Sequence, residues 1–149
     1  MPDRILRGLN GPRGTALLAA AWVCVFHGVA YTPLTAGPQD VPLALELLAG
    51  MVPLEVYGAA WFTAGIVALL GAFRTRTGKQ RDNLDAWGHS LVVAMFITWG
   101  GTYLAGWVIA EYRGDPSRSW ITAALYVGIA CIVGAGARMT NPTGRKVAA

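Results

Sequence analysis

The fold is decided by residues 86–110, AWGHSLVVAMFITWGGTYLAGWVIA, a segment that contains no Lys, Arg, Asp or Glu. A helix needs about 20 mostly apolar residues to cross the ~30 Å hydrocarbon core of a bilayer. This segment exceeds that length, so it predicts a membrane-spanning helix. The charged residues that precede it and those that follow it are then expected on opposite sides of the membrane.

Three further segments lack charged residues: 14–39, 56–73 and 119–137. The chain as a whole is 54% hydrophobic and only 13% charged, whereas a soluble domain has about 25% charged residues. The 149 residues therefore predict one all-α domain, a bundle of four transmembrane helices. The spans are expected at about 15–31, 53–73, 86–110 and 120–137.

The first apolar segment has a second interpretation, a cleaved signal peptide. Arg4, Arg7 and Arg13 precede it as a basic region, and Gly28-Val29-Ala30 has the small residues of a cleavage site. The segment is close to the upper length limit of a signal peptide and further spans follow it. These features favour an uncleaved first helix.

A short helix is predicted between the first two spans, at about 42–51. The segment begins with Pro42 and ends near Gly50, as helices commonly do, and Glu46 is its only charge. It is too short to cross a bilayer. We therefore expect an interfacial helix that lies against the outer membrane surface.

The distribution of positive charge predicts the orientation. Ten of the twelve Lys and Arg lie before the first span, between the second and third spans, or after the fourth; the other two are Arg113 and Arg118. Because positively charged segments remain on the cytoplasmic side, both termini and the loop at 74–85 are predicted to be cytoplasmic. The expected location is the cytoplasmic (inner) membrane, with several passes through it.

The loop at 74–85 contains the densest group of basic residues, Arg74, Arg76, Lys79 and Arg81. It is too short for a nucleic-acid-binding module, and Asp82 and Asp85 offset half of its positive charge. We therefore expect these basic residues to set the topology, and no nucleic-acid partner is predicted. Asp85 is expected to cap the first turn of the third span.

Small residues recur along the spans. Because lipid gives helices no hydrophobic reason to associate, close packing at small residues matters in a membrane. We therefore predict helix-packing strips, within one chain or between the chains of a homo-oligomer. Their members are Ala16, Ala20, Cys24, Gly28, Ala60, Ala64, Ala68, Ala72, Gly100, Gly101, Gly106, Ala124 and Gly128.

Few residues in the spans could carry chemistry. His27 and Glu55 fall at similar depth near the outer boundary, so they can form a polar pair. His89 falls at the opposite boundary, so the two histidines and Glu55 do not converge as metal ligands must. With no catalytic motif in the chain, we expect no catalytic residue, no cofactor and no metal site, and a protein that is not an enzyme.

Two stretches carry a resemblance to a known class of proteins. They are PLEVYGAAWFTAGIVALLGAF at 53–73 and RDNLDAWGHSLVVAMFITWGGTYLAGW at 81–107, and a last span led by Trp120 follows them. In hydropathy and tryptophan placement the chain resembles small four-span membrane proteins of actinobacteria and their phages, some of which are described as holin-like. The resemblance implies a protein that oligomerises in the membrane and opens lesions that release an endolysin, with a host or phage membrane protein as a further partner.

A second resemblance rests on FHG at 26–28 and ELLAG at 46–50. These segments resemble DoxX-like four-span proteins, a family associated with redox or respiratory-chain functions. Two further interpretations remain open at this stage. One is a small transporter or channel that works as a dimer, and the other is a membrane scaffold or exclusion protein.

Overall fold

The structure is a computed structural model, and it describes residues 8, 9, 11–32, 43–73, 82–114 and 117–138. The described residues include five helices with defined bounds. They are α1 (Gly11–Ala30), α2 (Leu43–Ala49), α3 (Leu54–Ala72), α4 (Asp82–Tyr112) and α5 (Ser119–Arg138). Outside the helices, the described part contains one isolated antiparallel bridge, between Leu9 and Phe73.

The four longer helices are each long and apolar enough to cross a membrane. The prediction of an all-α, multi-pass membrane protein is therefore confirmed. Large apolar side chains on the outside of the bundle, among them Trp22, Phe26, Leu125 and Ile132, are exposed, as expected for surfaces that contact lipid. The short helix is present as α2, whereas its interfacial location stays a prediction.

Two helices begin about four residues before the spans predicted from the sequence. α1 starts at Gly11, with Pro12 in its first turn, where a proline is tolerated because its missing N–H has no helical partner. α4 starts at Asp82, so the last four residues of the predicted loop 74–85 are helical. Acidic residues favour a helix N-terminus because they face its positive dipole end. Residues 74–81, with Arg74, Arg76, Lys79 and Arg81, lie outside the described residues, as do both chain termini.

α1 and α3 pack antiparallel with their backbones in close approach. A Cβ atom added at Gly28 would lie 2.8 Å from the Phe62 backbone nitrogen, and one added at Gly65 would lie 3.0 Å from the Val25 nitrogen. Both distances are shorter than ordinary van der Waals contact, so only glycine fits at these two positions. The α1–α3 pair is thus held by direct backbone contact of the kind favoured between membrane helices.

The same close packing continues towards α4 and α5. A Cβ added at Gly71, near the end of α3, would lie 2.6 Å from the Leu84 carbonyl oxygen at the start of α4. Gly136 in the last turn of α5 approaches Ala16 in α1. The start of α1, the end of α3, the start of α4 and the end of α5 therefore meet at one end of the bundle, as four successive crossings require.

The predicted small-residue strips fall into two groups. Those in the interior are Ala20, Cys24, Gly28, Ala64, Ala68, Ala72, Gly100 and Gly106, with Ala16 half-buried. Those facing outward are Ala60, Gly101, Ala124 and Gly128. Nothing lies within 4 Å of a Cβ added at Gly101 or Gly128. Packing within the chain therefore accounts for the first group and not for the second.

Gly65→Ala is expected to destabilise the bundle by roughly 1–3 kcal/mol, because the added methyl group overpacks the α1–α3 contact. Gly128→Ala is the matched control, since it makes the same change in a helix but points into open space. Denaturant unfolding of the purified protein in detergent measures both. Equal stability of the two variants would contradict the close contact at Gly65.

Candidate functional site

A carboxylate lies buried at the end of the bundle where α1 and α4 begin. The Asp85 side chain is only 1% exposed, and its Oδ2 atom lies 2.7 Å from the guanidinium Nη2 atom of Arg13. Its Oδ1 atom lies 3.1 Å from Nδ1 of His89. Asp85, Arg13 and His89, named here the ionic cluster, bring two candidate cations to one buried anion.

The ionic cluster follows from local helix geometry. Asp85 and His89 are four residues apart on α4, so they lie one above the other on the same face. His89 Nδ1 lies 2.9 Å from the Asp85 carbonyl oxygen, which can only accept, so Nδ1 carries the proton in that hydrogen bond. The other ring nitrogen, Nε2, is buried with no hydrogen-bond partner among the described residues. With the proton on Nδ1, Nε2 is the acceptor nitrogen of the neutral ring.

A second polar contact lies deeper in the bundle. His27 Nδ1 is 3.1 Å from the Val23 carbonyl oxygen, so Nδ1 donates there and Nε2 is left as an acceptor. The hydroxyl of Tyr126 then donates to Nε2 across 2.5 Å. This bond joins α1 to α5.

Aromatic rings enclose the His27–Tyr126 bond. The Trp61 ring lies 4.8 Å from His27, 5.6 Å from Trp99 in a T-shaped arrangement, and 5.3 Å from Phe96. Such edge-to-face pairs contribute about 0.5–1.5 kcal/mol each beyond their buried area. His27, Trp61, Phe96, Trp99 and Tyr126 form the aromatic cluster.

Trp61 is completely buried, and its indole Nε1 has no hydrogen-bond partner in the described part of the chain. At the outer edge of the cluster, the Trp99 indole donates to the Tyr31 hydroxyl at 3.4 Å.

One face of α4 connects the two clusters. Asp85, His89, Val92, Phe96 and Trp99 follow one another at spacings of four and three residues, and all are buried. At 1.5 Å per residue, His89 and Phe96 are about 10 Å apart along the helix. Val92 lies between them on this face, so apolar packing separates the ionic cluster from the aromatic cluster.

The structure gives two predicted site residues different partners. His27 bonds to Tyr126 instead of Glu55, which lies exposed in the first turn of α3. Asp85 was expected to cap α4, but α4 already begins at Asp82, so Asp85 lies inside the first turn and faces Arg13. His89 lies near the start of α4, and His27 lies near the end of α1, at the opposite end of the bundle. Among the described residues no three His, Cys, Asp or Glu converge as a metal site would require.

Sequence reasoning missed Arg13 and Tyr126 as members of these clusters. A signal was available for the first: an acid one turn before a histidine, at Asp85 and His89, together with an arginine at the same predicted depth. Tyr126 had no comparable signal, because its partner is 99 residues away in the chain. Chemically, the ionic cluster can hold the starts of α1 and α4 together.

Comparisons of the chain with known protein families, with curated proteins and with solved structures give no match. The arguments that follow therefore rest on the geometry and on the sequence.

Removing one partner from the ionic cluster is expected to be costly, because a buried charge is then left uncompensated. Arg13→Gln or Asp85→Asn should each lower the free energy of unfolding by about 3–5 kcal/mol. Combining both changes removes both charges, so the double variant should be less destabilised than the sum of the single variants. Unfolding in detergent measures this, with Glu55→Gln as the exposed-carboxylate control. Additive losses would contradict the pairing of Arg13 with Asp85.

Proposed function

We propose that this protein is a non-enzymatic integral membrane protein that acts by self-association, and most concretely that it is a phage holin-like or lysis-accessory protein. In this proposal it lies in the cytoplasmic membrane with both termini and the loop at 74–85 on the cytoplasmic side, and α2 lies on the outer surface. Its partners are the lipid bilayer and further copies of itself.

The observation that carries the proposal is one face of α5. Ala124, Gly128, Cys131 and Ala135 are all exposed, and they follow one another at spacings of four, three and four residues. This spacing places them in one strip along the helix. We call this strip the α5 small face.

In the part of the chain that the structure describes, no other helix covers this strip of small residues. Between two copies it allows two α5 helices to approach closely, and the spacing matches the left-handed crossing that is most common among membrane helices. Larger side chains flank the strip, with Leu125 and Ile132 exposed, and these can interdigitate once the backbones are close.

Holin-like action suits such a surface. A protein of this kind accumulates in the membrane, oligomerises and opens lesions, and none of these steps requires a catalytic group. The resemblance of residues 53–73 and 81–107 to actinobacterial and phage four-span proteins supports the same interpretation.

Cys131 provides a direct test of the α5 small face. In membranes treated with copper phenanthroline, an oxidant that joins two nearby thiols, we expect a Cys131–Cys131 crosslinked dimer. Gly128→Leu should reduce crosslinking strongly because the bulkier side chain separates the helices. Ala59→Leu, which is the same kind of change at an exposed position of α3, should not, and Cys131→Ser should remove the product because Cys24 is buried.

The functional arm of this test uses the induced gene in a bacterial host with a co-expressed endolysin. The wild type should cause an abrupt loss of membrane potential and release of the endolysin, and Gly128→Leu should delay or abolish both. Normal growth with full membrane insertion of the wild type would contradict the holin-like proposal. An uncrosslinked wild type would contradict self-association through α5.

The ionic cluster favours a second candidate, a small transporter or channel that works as a dimer. Ionisable residues buried inside a membrane bundle often belong to an ion or proton pathway, and Asp85 is buried at one end of this bundle. Under this alternative, proton flux into proteoliposomes should be lost in Asp85→Asn and retained in Glu55→Gln. Equal flux in the two variants, or flux no greater than in empty liposomes, would exclude it.

A further inference from the structure

An apolar groove runs between α4 and α5, beginning at the turn that joins them. It has a volume of about 550 Å³, which is within the ~300–1,000 Å³ range of ligand sites in proteins. The indole N–H groups of two tryptophans are the polar side-chain atoms of its lining, and the other lining side chains are apolar. The lining residues are Ile97, Gly100, Gly101, Leu104, Trp107, Trp120, Ala123, Ala124 and Val127.

The groove is deep because small residues line its base. A Cβ added at Gly101 would meet nothing within 4 Å, whereas one added at Gly100 would lie 3.1 Å from the Val127 side chain. Gly100 therefore allows α4 and α5 to approach, and Gly101 leaves the space open beside that contact. The groove is thus a consequence of two adjacent glycines on different faces of α4.

The length of the groove matches one leaflet of a bilayer. Ile97 and Trp107 line its two ends on α4 and are ten residues apart, which corresponds to about 15 Å of helix. Half of a ~30 Å hydrocarbon core is also about 15 Å. A single acyl chain that enters at the α4–α5 turn and ends near the bilayer midplane therefore fits the groove from end to end.

The mouth of the groove has the residues of a membrane interface. Trp107 and Trp120 lie there, and tryptophan is enriched at the headgroup level. The Trp107 indole donates to Glu111 at 3.2 Å, which holds its ring at the entrance. Arg113 and Arg118, both exposed, lie in the turn that joins the two groove helices.

A guanidinium group is well suited to a phosphate, to which it can donate two parallel hydrogen bonds. Glu111 lies in the last turn of α4, and Asp115 follows Arg113 in the sequence, so the net charge here does not select a strongly anionic surface. The local feature is a pair of exposed arginines in the segment that joins the two groove helices.

We propose that the α4–α5 groove is a binding site for one glycerophospholipid, with an acyl chain in the groove and the phosphate at Arg113 and Arg118. The lipid comes from the leaflet on the side of the α4–α5 turn. Dispersion contacts with the groove hold the chain, and the charge-assisted hydrogen bonds distinguish a phospholipid from other chains in the bilayer. This site is separate from the α5 small face, although Ala124 borders both.

Native mass spectrometry of the detergent-purified protein tests the site, with dioleoyl phosphatidylglycerol and dioleoylglycerol as probes. The wild type should retain phosphatidylglycerol and bind dioleoylglycerol, which has the same chains but no phosphate, roughly tenfold more weakly. Gly101→Leu, which fills the groove from a position with free space, should lose phosphatidylglycerol. Ala59→Leu, at an exposed position of α3 outside both the groove and the α5 small face, should retain it.

The double variant Arg113→Gln/Arg118→Gln should bind phosphatidylglycerol no better than dioleoylglycerol. Retention of phosphatidylglycerol by Gly101→Leu would overturn the proposal, and so would equal binding of the two probes by the wild type. Loss of the Cys131 crosslink in Gly101→Leu would also overturn it, because a second copy would then occupy the groove. The lipid measurement is independent of crosslinking, so failure of self-association leaves its result intact.

Discussion

The buried carboxylate of Asp85 is the constraint on which one end of this bundle depends, the end where α1 and α4 begin. A charge at that depth is costly unless it is paired, and its partners come from two helices, Arg13 from α1 and His89 from α4 itself. Pairing with Arg13 fixes where α1 begins relative to α4. It also explains why α1 extends to Gly11 and α4 to Asp82, beyond the segments that composition alone assigns to the membrane.

Away from that end, the hydrophobic effect does not hold the helices together, because lipid chains are as apolar as the side chains that would leave them. Two other interactions hold the helices together instead. Backbones meet directly at Gly28 and Gly65, where dispersion contacts are dense. The aromatic cluster joins α1, α3, α4 and α5 through tilted and edge-to-face rings. The Tyr126–His27 hydrogen bond adds a directional contact, which fixes the rotation of α5 against α1.

The outer surface shows where the chain has small residues that its own packing does not use. On α5 they form a strip suited to another copy of the same helix, and on α4 Gly101 opens a groove suited to a narrow chain. The two features lie side by side, with Ala124 between them. An assembly that forms through α5 would therefore place a lipid chain next to its interface, so the membrane composition could influence how the copies associate.

The sequence by itself determined the class of protein, the number of spans and their approximate limits. It could do so because the ability of a helix to cross a bilayer depends on the length of that segment and on its lack of charged residues. It also indicated that small residues would matter, without separating the buried Ala64 from the exposed Gly101. Only the tertiary structure decided which residues meet. Arg13 finds Asp85, and His27 finds Tyr126 rather than Glu55, because the rotation of each helix about its axis is set by packing against its neighbours, and no local pattern in the chain encodes that rotation.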